Sequence, residues 1–520
     1  MAPRNPLNKH EPTLIFERGC DGRYGTQVTG GLRHTRAEDT PTRLPAALTQ
    51  TAPVPLPMVN ELELARHFVH LSHNTFGIDT GFYPLGSCTM KYNPKSLERL
   101  MRITRVAHVH PAQPFGTVSG FVEMMYWLQT WLADISGFDA VSIQPAAGAQ
   151  GEFAGMIIFR RYFEDRGETQ RDTMLVPDSA HGTNPASAVL AGFKVHEIVC
   201  APHGGIMTPE LLDAAIEQVG ADHVAGIMLT NPSTLGTFEE NIQYVSKRMK
   251  EIGALLYYDG ANLNALVGIA RPGDMGFDLM HYNTHKTFST PHGGGGPGSG
   301  PIGVKEHLAP YLPHPQVRRT DEGSYEFFTP ENSIGRMKMF HGQFGMILRC
   351  WGYILLHGPD GLLRNTEMAI LNANYLQALV KDKLPVPFAT KADGSPRYAM
   401  HEFVASADRL KREHGVTAKE VGKALLSEGY HAPTTYFPLI VPEALMIEPT
   451  ESESMETLDS FASSLLGIVE LAERDPEALR RTPNLRVTHL DETYAARNLN
   501  VKWVPGQKTE PEPELNAASM

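Results

Sequence analysis

From about residue 140 to residue 281 the chain alternates short apolar runs with helix-length segments, and that rhythm decides the fold class. The runs Ala140–Gln144, Met174–Pro177, Lys194–Val199, His223–Thr230, Ala254–Asp259 and Phe277–His281 read as strands. Gly151–Glu164, Pro209–Val219 and Glu240–Ile252 read as helices between them. Strands alternating with helices imply right-handed βαβ units and a mostly parallel sheet. Sheets of this kind bind ligands beyond the carboxyl ends of their strands. The residues just after each run are therefore where chemistry is expected.

The flanking regions differ in texture. The first hundred residues are irregular and rich in proline and glycine, an arm suited to wrapping a neighbouring subunit or domain, with helices expected over Met58–His73 and Gly120–Ile135. A long helical stretch is expected around Ser333–Leu363, carrying Arg336 and Lys338 as structural or interface charges. PVPFATKADGSPR reads as a loop or linker before a smaller α/β region, and the Pro/Glu-rich tail KTEPEPELNAASM reads as disordered. The expected division is an arm over 1–95, a large domain over 96–375, a small C-terminal domain over 376–490 and an extension over 491–520. At 520 residues, 42% hydrophobic and 20% charged, the chain suits a soluble globular protein of two or more domains.

The net charge of −12 argues against nucleic-acid binding and against attraction to an anionic membrane surface. The N-terminus has no long apolar core of a secretory signal. The apolar stretch Met339–His357 is interrupted by His341, Gln343 and Arg349, which fits a buried helix better than a membrane span. The four cysteines, Cys20, Cys88, Cys200 and Cys350, form no CxxC pair and no metal spacing. Few cysteines and no signal point to a reducing cytoplasm.

The most specific segment is HYNTHKTFSTPHGGGGPGSG, from His281 to Gly300. Lys286 sits just past a strand and precedes His292 and four glycines. A partly desolvated lysine can attack a carbonyl, and glycines let backbone approach a ligand closely. A surface lysine beside a loop is the plainer reading of a lone Lys. A nucleotide P-loop is excluded, because GxxxxGK[ST] is absent and the lysine comes before the glycines. Asp259 closes the strand ALLYYD, where it either faces the ligand crevice or makes an Asx turn. Pyridoxal phosphate (PLP) needs such an acid at its pyridine nitrogen, and Asn262 follows closely. QPAAGAQGEFAG opens a helix, so Ala147, Gly148 and Ala149 can cradle a phosphate on backbone N–H groups, or simply pack tightly. His181, in SAHGTN, offers a flat ring for a cofactor face or a structural hydrogen bond. Thr230 and Asn231 end a further strand, where they reach a cofactor or merely form a turn. Four such clusters at strand ends, ordered as phosphate cradle, ring stacker, acid and lysine, point to PLP.

HYNTHKTFSTPHGGGGPG resembles the PLP-lysine segment of the glycine cleavage system P-protein. FYPLGSCTMKYNP (Phe82–Pro94), QPAAGAQGEFAG, SAHGTNPASA, TNPSTLGTFE and PTTYFPLIVPEALMIEPTE (Pro433–Glu451) resemble that family too. The likeness runs from about Glu61 to Trp503 and is to the lysine-bearing half, subunit 2 of the two-subunit form. It implies a fold-type-I, aspartate-aminotransferase-like PLP fold and an active site completed by a separate subunit 1, with two copies of each. The implied reaction is glycine decarboxylation, with the aminomethyl group passing to the lipoyl arm of the H-protein, an oxidoreductase activity. Lys286 then holds PLP as a Schiff base, Asp259 its ring nitrogen and His181 its face. Thr284 and His285 are expected near the phosphate. Ser87, Cys88, Thr89, Asn184 and His292 are expected on the substrate or channel side, with the His431–Thr435 segment, and Gly293–Gly300 as a channel wall. Two rivals remain: a PLP aminotransferase or lyase, disfavoured because Ala432–Glu451 lacks an arginine clamp, and a non-catalytic lipoyl-carrier scaffold, disfavoured by an intact Lys286 and Asp259.

Overall fold

The structure is a computed structural model describing residues 14–18, 45–48, 56–293, 297–391, 393–482, 484–485, 491–499, 501–502 and 504. The polar tail from residue 505, much of the N-terminal arm and Gly294–Gly296 lie outside the described residues.

Seven strands form the main sheet: β1 (Ala140–Ser142), β2 (Thr173–Pro177), β3 (Lys194–Ile198), β4 (Val224–Thr230), β5 (Leu255–Gly260), β6 (Leu279–Tyr282) and β7 (Ile302–Val304), in the order β1-β7-β6-β5-β4-β2-β3. All neighbours run parallel except β7, which is antiparallel to both β1 and β6. β2, β4, β5 and β6 are buried along their whole length. Strands covered on both faces are continuous apolar runs, which is why VAGIMLT and LLYYDG were legible as strands. β3 is one edge and keeps Lys194 and Glu197 exposed, a charge pattern that disfavours pairing with another chain. A hairpin of β8 (Gln316–Arg319) and β9 (Tyr325–Phe328) follows.

The helix Gly148–Asp165 sets the position of the site. Gly148, Gly151 and Gly155 share one face, and a Cβ on any of them would run into Asn283, Gly300 or Leu279 and Tyr257. Their small size lets the helix lie flush on β5, β6 and β7, so its N-terminus arrives at the carboxyl ends of the strands. Leu279, Tyr257 and Phe159 close the core on that face, while Leu256, Tyr258 and Met280 belong to the core on the other.

The expected helix over Ser333–Leu363 is corrected. The helix runs Phe344–Val380, and residues 333–343 are irregular. Phe340 and Gly342 take φ of 59° and 84°, outside helical space. A Cβ on Gly342 would lie 2.6 Å from the Ile143 carbonyl. Arg336 and Lys338 therefore precede the helix. Arg336 donates to the Phe340 carbonyl (2.9 Å), and the Lys338 N–H donates to Gln144 Oε1 (2.8 Å). The helix breaks at Gly358 (φ 62°, ψ −178°), next to Pro359. Its first half packs Ile347, Cys350 and Tyr353 into the main-sheet core, and its second half packs Leu376 and Val380 into a separate core.

That second core lies under the antiparallel sheet β10 (Phe403–Ser406), β12 (Ala444–Ile447) and β11 (Thr434–Thr435), backed by the helices Ala418–Ser427 and Met455–Arg474. Residues 82–91 run as a strap between the two sheets. Leu85 bridges to Ile447, and the Gly86 N–H donates to Met446 O (3.2 Å). Lys91 pairs with Glu451 (2.8 Å) and Asn264 (2.9 Å). Among the described residues no helix is long and apolar enough to cross a membrane.

Candidate active site

A cleft of about 260 Å³ opens at the carboxyl ends of β2, β4, β5 and β6. It is lined by Ala147, Gly148 and Ala149 from the helix start, His181 and Thr183 after β2, Thr230 from β4, Asp259 and Asn262 from β5, and His285 and Lys286 after β6. The strap adds Ser87.

The helix start is open for an anion. Ala147, the N-cap, is extended and offers no side-chain acceptor. The first-turn amides therefore have neither an intrahelical nor a capping partner, and the helix dipole favours negative charge there. The donor set suits a phosphate.

Asp259 is 3% exposed. Oδ1 accepts the Ala261 N–H (2.9 Å), the Asx turn that was one of the two sequence readings. Oδ2 accepts from Asn184 Nδ2 (3.0 Å). His281 Nε2 lies 3.3 Å from Oδ1, and its Nδ1 lies 2.6 Å from the Tyr257 hydroxyl. Burial by itself would raise the carboxyl. His281, Asn184, Lys286 and the Ala261 amide outweigh burial and hold Asp259 below the ordinary carboxylate value. Burial holds His281 below its own ordinary value, so near neutral pH it stands beside Asp259 as a neutral ring whose Nε2 lies 2.9 Å from Asn283 Nδ2.

Lys286 lies in a single helical turn, Thr284–Thr287, right after β6. Its positive charge acts on Asp259, Cys88, Glu402 and Glu448, which places it among groups from both sheets. His285 and His292 pack edge to face at 4.8 Å. Burial first, then Lys286, push His285 down to about 3 and His292 to about 4, so both rings are neutral at pH 7. Thr284 does not line the cleft; its hydroxyl donates to the Ser299 carbonyl (3.0 Å). Thr230 Oγ1 and Asn262 Oδ1 are buried without a partner among the described residues, as side chains that await a ligand would be.

The strap is held from the small sheet. The Ser87 N–H donates to Glu402 Oε2 (2.7 Å), and the Thr89 N–H donates to Glu448 Oε2 (2.9 Å). Ser87 and Thr89 adopt φ of 64° and 48°, strained positions that these hydrogen bonds help to maintain. Cys88, between them, is half-buried, and burial raises its thiol, which opposes thiolate chemistry. His431 stacks on Tyr83 at 3.9 Å.

Sequence reading passed over several groups that the fold brings here. Glu152 is four residues past Gly148 and so sits on the same helix face. His281 lies in β6 and Asn283 just past its end. Glu402 and Glu448 stand at the ends of β10 and β12, where a charge beside an apolar run was the available signal.

The sequence profile described as "Glycine dehydrogenase, C-terminal domain" matches residues 365–484. The chain is 49% identical over 95% of its length to "Probable glycine dehydrogenase (decarboxylating) subunit 2" of Desulforamulus reducens, covering 99% of that protein. The protein of that name in Thermotoga maritima is 48% identical over 94% of this chain and 99% of its own. The chain belongs to the glycine dehydrogenase (decarboxylating) subunit 2 family. Within solved structures, a glycine decarboxylase (P-protein) of the glycine cleavage system in inhibitor-bound form is similar in fold. Its TM-score is 0.66 at 19% identity, with 83% of this chain and 94% of that one covered. Lactobacillus brevis glutamate decarboxylase also shares the fold, with a TM-score of 0.60 at 14% identity over 83% and 96% of the two chains.

Proposed function

We propose that this chain is the PLP-binding subunit of a glycine decarboxylase that passes the aminomethyl group to a lipoyl carrier. The reading rests on the near-full-length similarity to glycine dehydrogenase (decarboxylating) subunit 2. It is supported by a cleft that gathers an open helix start, a buried carboxylate and a lysine at adjacent strand ends.

In this reading the amides of Gly148 and Ala149 hold the phosphate, and Lys286 Nζ forms the covalent attachment. Asp259 keeps the ring nitrogen protonated, and His181 covers one face. When bound, PLP supplies an electron sink for the pair left behind as CO2 departs. Lys286 Nζ would lie at the edge of the cleft, within reach of the reacting carbon. The strap with Ser87, Cys88 and Thr89 shields the site from water on the side of the small sheet. Across the reaction the glycine C–CO2 bond breaks and a C–S bond forms. The lipoyl disulfide breaks, and its second sulfur takes the proton that the glycine ammonium gave up. The partner is a subunit 1, with two copies of each chain, and the carrier is a lipoylated H-protein.

Exchange of labelled bicarbonate into the glycine carboxyl, with partner and carrier present, tests the reading. Label is expected in glycine. Absence of exchange together with transamination of a free amino acid would overturn it.

A further inference from the structure

On the cleft wall, the hydroxyl proton of Thr183 has two neighbours that could take it. The Thr183 backbone N–H donates to His181 Nδ1 (3.2 Å). Nδ1 therefore presents a lone pair, and the ring proton sits on Nε2. The same Nδ1 lies 2.8 Å from Thr183 Oγ1. Two lone pairs at that distance repel, which favours a hydroxyl proton turned to Nδ1. Yet Oγ1 is also 3.1 Å from Glu152 Oε2. The hydroxyl can give its one proton to Glu152 Oε2 or to His181 Nδ1; given to Nδ1, it leaves Oγ1 to accept, and Glu152 must then carry the acid proton.

The surroundings of Glu152 agree. It is 2% exposed, and its Oε1 has no hydrogen-bond partner among the described residues, which favours the neutral acid. Asp259 is the neighbouring acid, and two buried carboxyls side by side keep one proton between them. Asp259 already has Asn184 and the Ala261 amide as donors. The proton accordingly stays on Glu152.

We propose that Glu152 is a positioning residue: as a neutral acid it drives a Glu152–Thr183–His181 hydrogen-bond chain that locks His181 as an Nε2–H donor at the cofactor face, and it leaves Asp259 the single anion at the ring nitrogen. The inference rests on the reading that the cleft holds PLP.

Burial first, then the charge of Asp259, raise Glu152 to about 7, although Ser187, Asn184 and Thr183 lie close enough to favour its anion. The titratable groups around it are Asp259 and Tyr257 on β5, His281 on β6, His181 after β2, and Lys286. Burial holds both histidines below their ordinary values, so they are neutral before Glu152 ionises. Above about pH 7 the Thr183 hydroxyl turns to the new carboxylate, and His181 loses its anchor.

The test is the visible band of the lysine-bound cofactor in the holoenzyme, titrated between about pH 5.5 and 8.5, with PLP affinity measured alongside. Glu152→Gln keeps a donor for Thr183 but cannot ionise. It should lose the spectral step near neutrality while PLP affinity stays within about twofold of wild type, whereas Glu152→Ala should weaken affinity about five- to tenfold. Thr183→Val should also weaken affinity and uncouple the band from Glu152. A neutral step in Glu152→Gln identical to wild type would overturn the proposal. Should that variant not fold, a wild-type band and affinity in Thr183→Val would overturn it instead. Wild-type protein that binds no PLP would sink the underlying reading, a separate result visible before any variant is compared.

Discussion

Asp259 carries a charge into a place with almost no solvent because Asn184, on the helix after β2, and the Ala261 amide, in its own turn, donate to it, with His281 of β6 3.3 Å away. Removing the carboxylate leaves those groups without their anion and, in the proposed role of Asp259, the ring nitrogen as well. Asp259→Asn is therefore expected to lower turnover by roughly 10²–10³-fold while borohydride still fixes PLP on Lys286; unchanged turnover in the exchange assay would refute its role. Gly148 is equally constrained, because any Cβ there meets Asn283 Oδ1. Gly148→Ala should push the helix start away from the cleft and weaken PLP binding about tenfold or more in a spectrophotometric titration. At this scale the sequence was most informative where a residue stood at a strand end, as Lys286 and Asp259 do. It was silent on Asn184 as the partner of Asp259, because that contact spans two crossovers, and on Glu152, whose importance comes from what the helix packs against.

Among the elements, the helix Phe344–Val380 departs most from its sequence reading. Its apolar pattern continues through Gly358, so periodicity could not reveal the break, and the helix start was misplaced because Phe340 and Gly342 turn where the pattern still looks helical. At φ 62° and ψ −178° Gly358 occupies a region closed to other residues. Gly358→Ala should destabilise the protein by about 1–3 kcal/mol in denaturant unfolding. A second consequence belongs to β10 and β12. Burial raises Glu448, at the end of β12, from 4.5 to about 7, and Glu402 rises likewise. The native chain thus binds protons there that the unfolded chain has already released. Stability is expected to fall as pH rises through the window from 4.5 to about 7. Glu448→Gln should flatten that fall, and a wild-type slope in the variant would show that Glu448 is not the group responsible. The parallel sheet itself was legible because its strands are buried on both faces. β7 was not, since three residues running antiparallel after a glycine-rich loop carry too little pattern.

Over the whole molecule, the strap of residues 82–91 packs Phe82 into the second core, ties Lys91 to Asn264 and borders the cleft. Its anchor is Lys91, 3% exposed, paired with Glu451 and Asn264. Burial alone would lower the Lys91 ammonium, but the charge of Glu451 more than offsets it and the lysine stays charged. Lys91→Met would leave Glu451 buried without its cation and should cost about 3–5 kcal/mol, measured by denaturant unfolding. The strap was recognisable only through family resemblance, since an irregular segment has no period to read and its hydrogen bonds reach Glu402 and Glu448 far along the chain. The central claim is that all these parts converge on Lys286 as the point of cofactor attachment. Borohydride reduction of the PLP-loaded protein, followed by peptide mass mapping, tests it most directly. The account predicts a pyridoxyl label on Lys286; a label confined to any other lysine, or no label on protein that binds PLP, would contradict it.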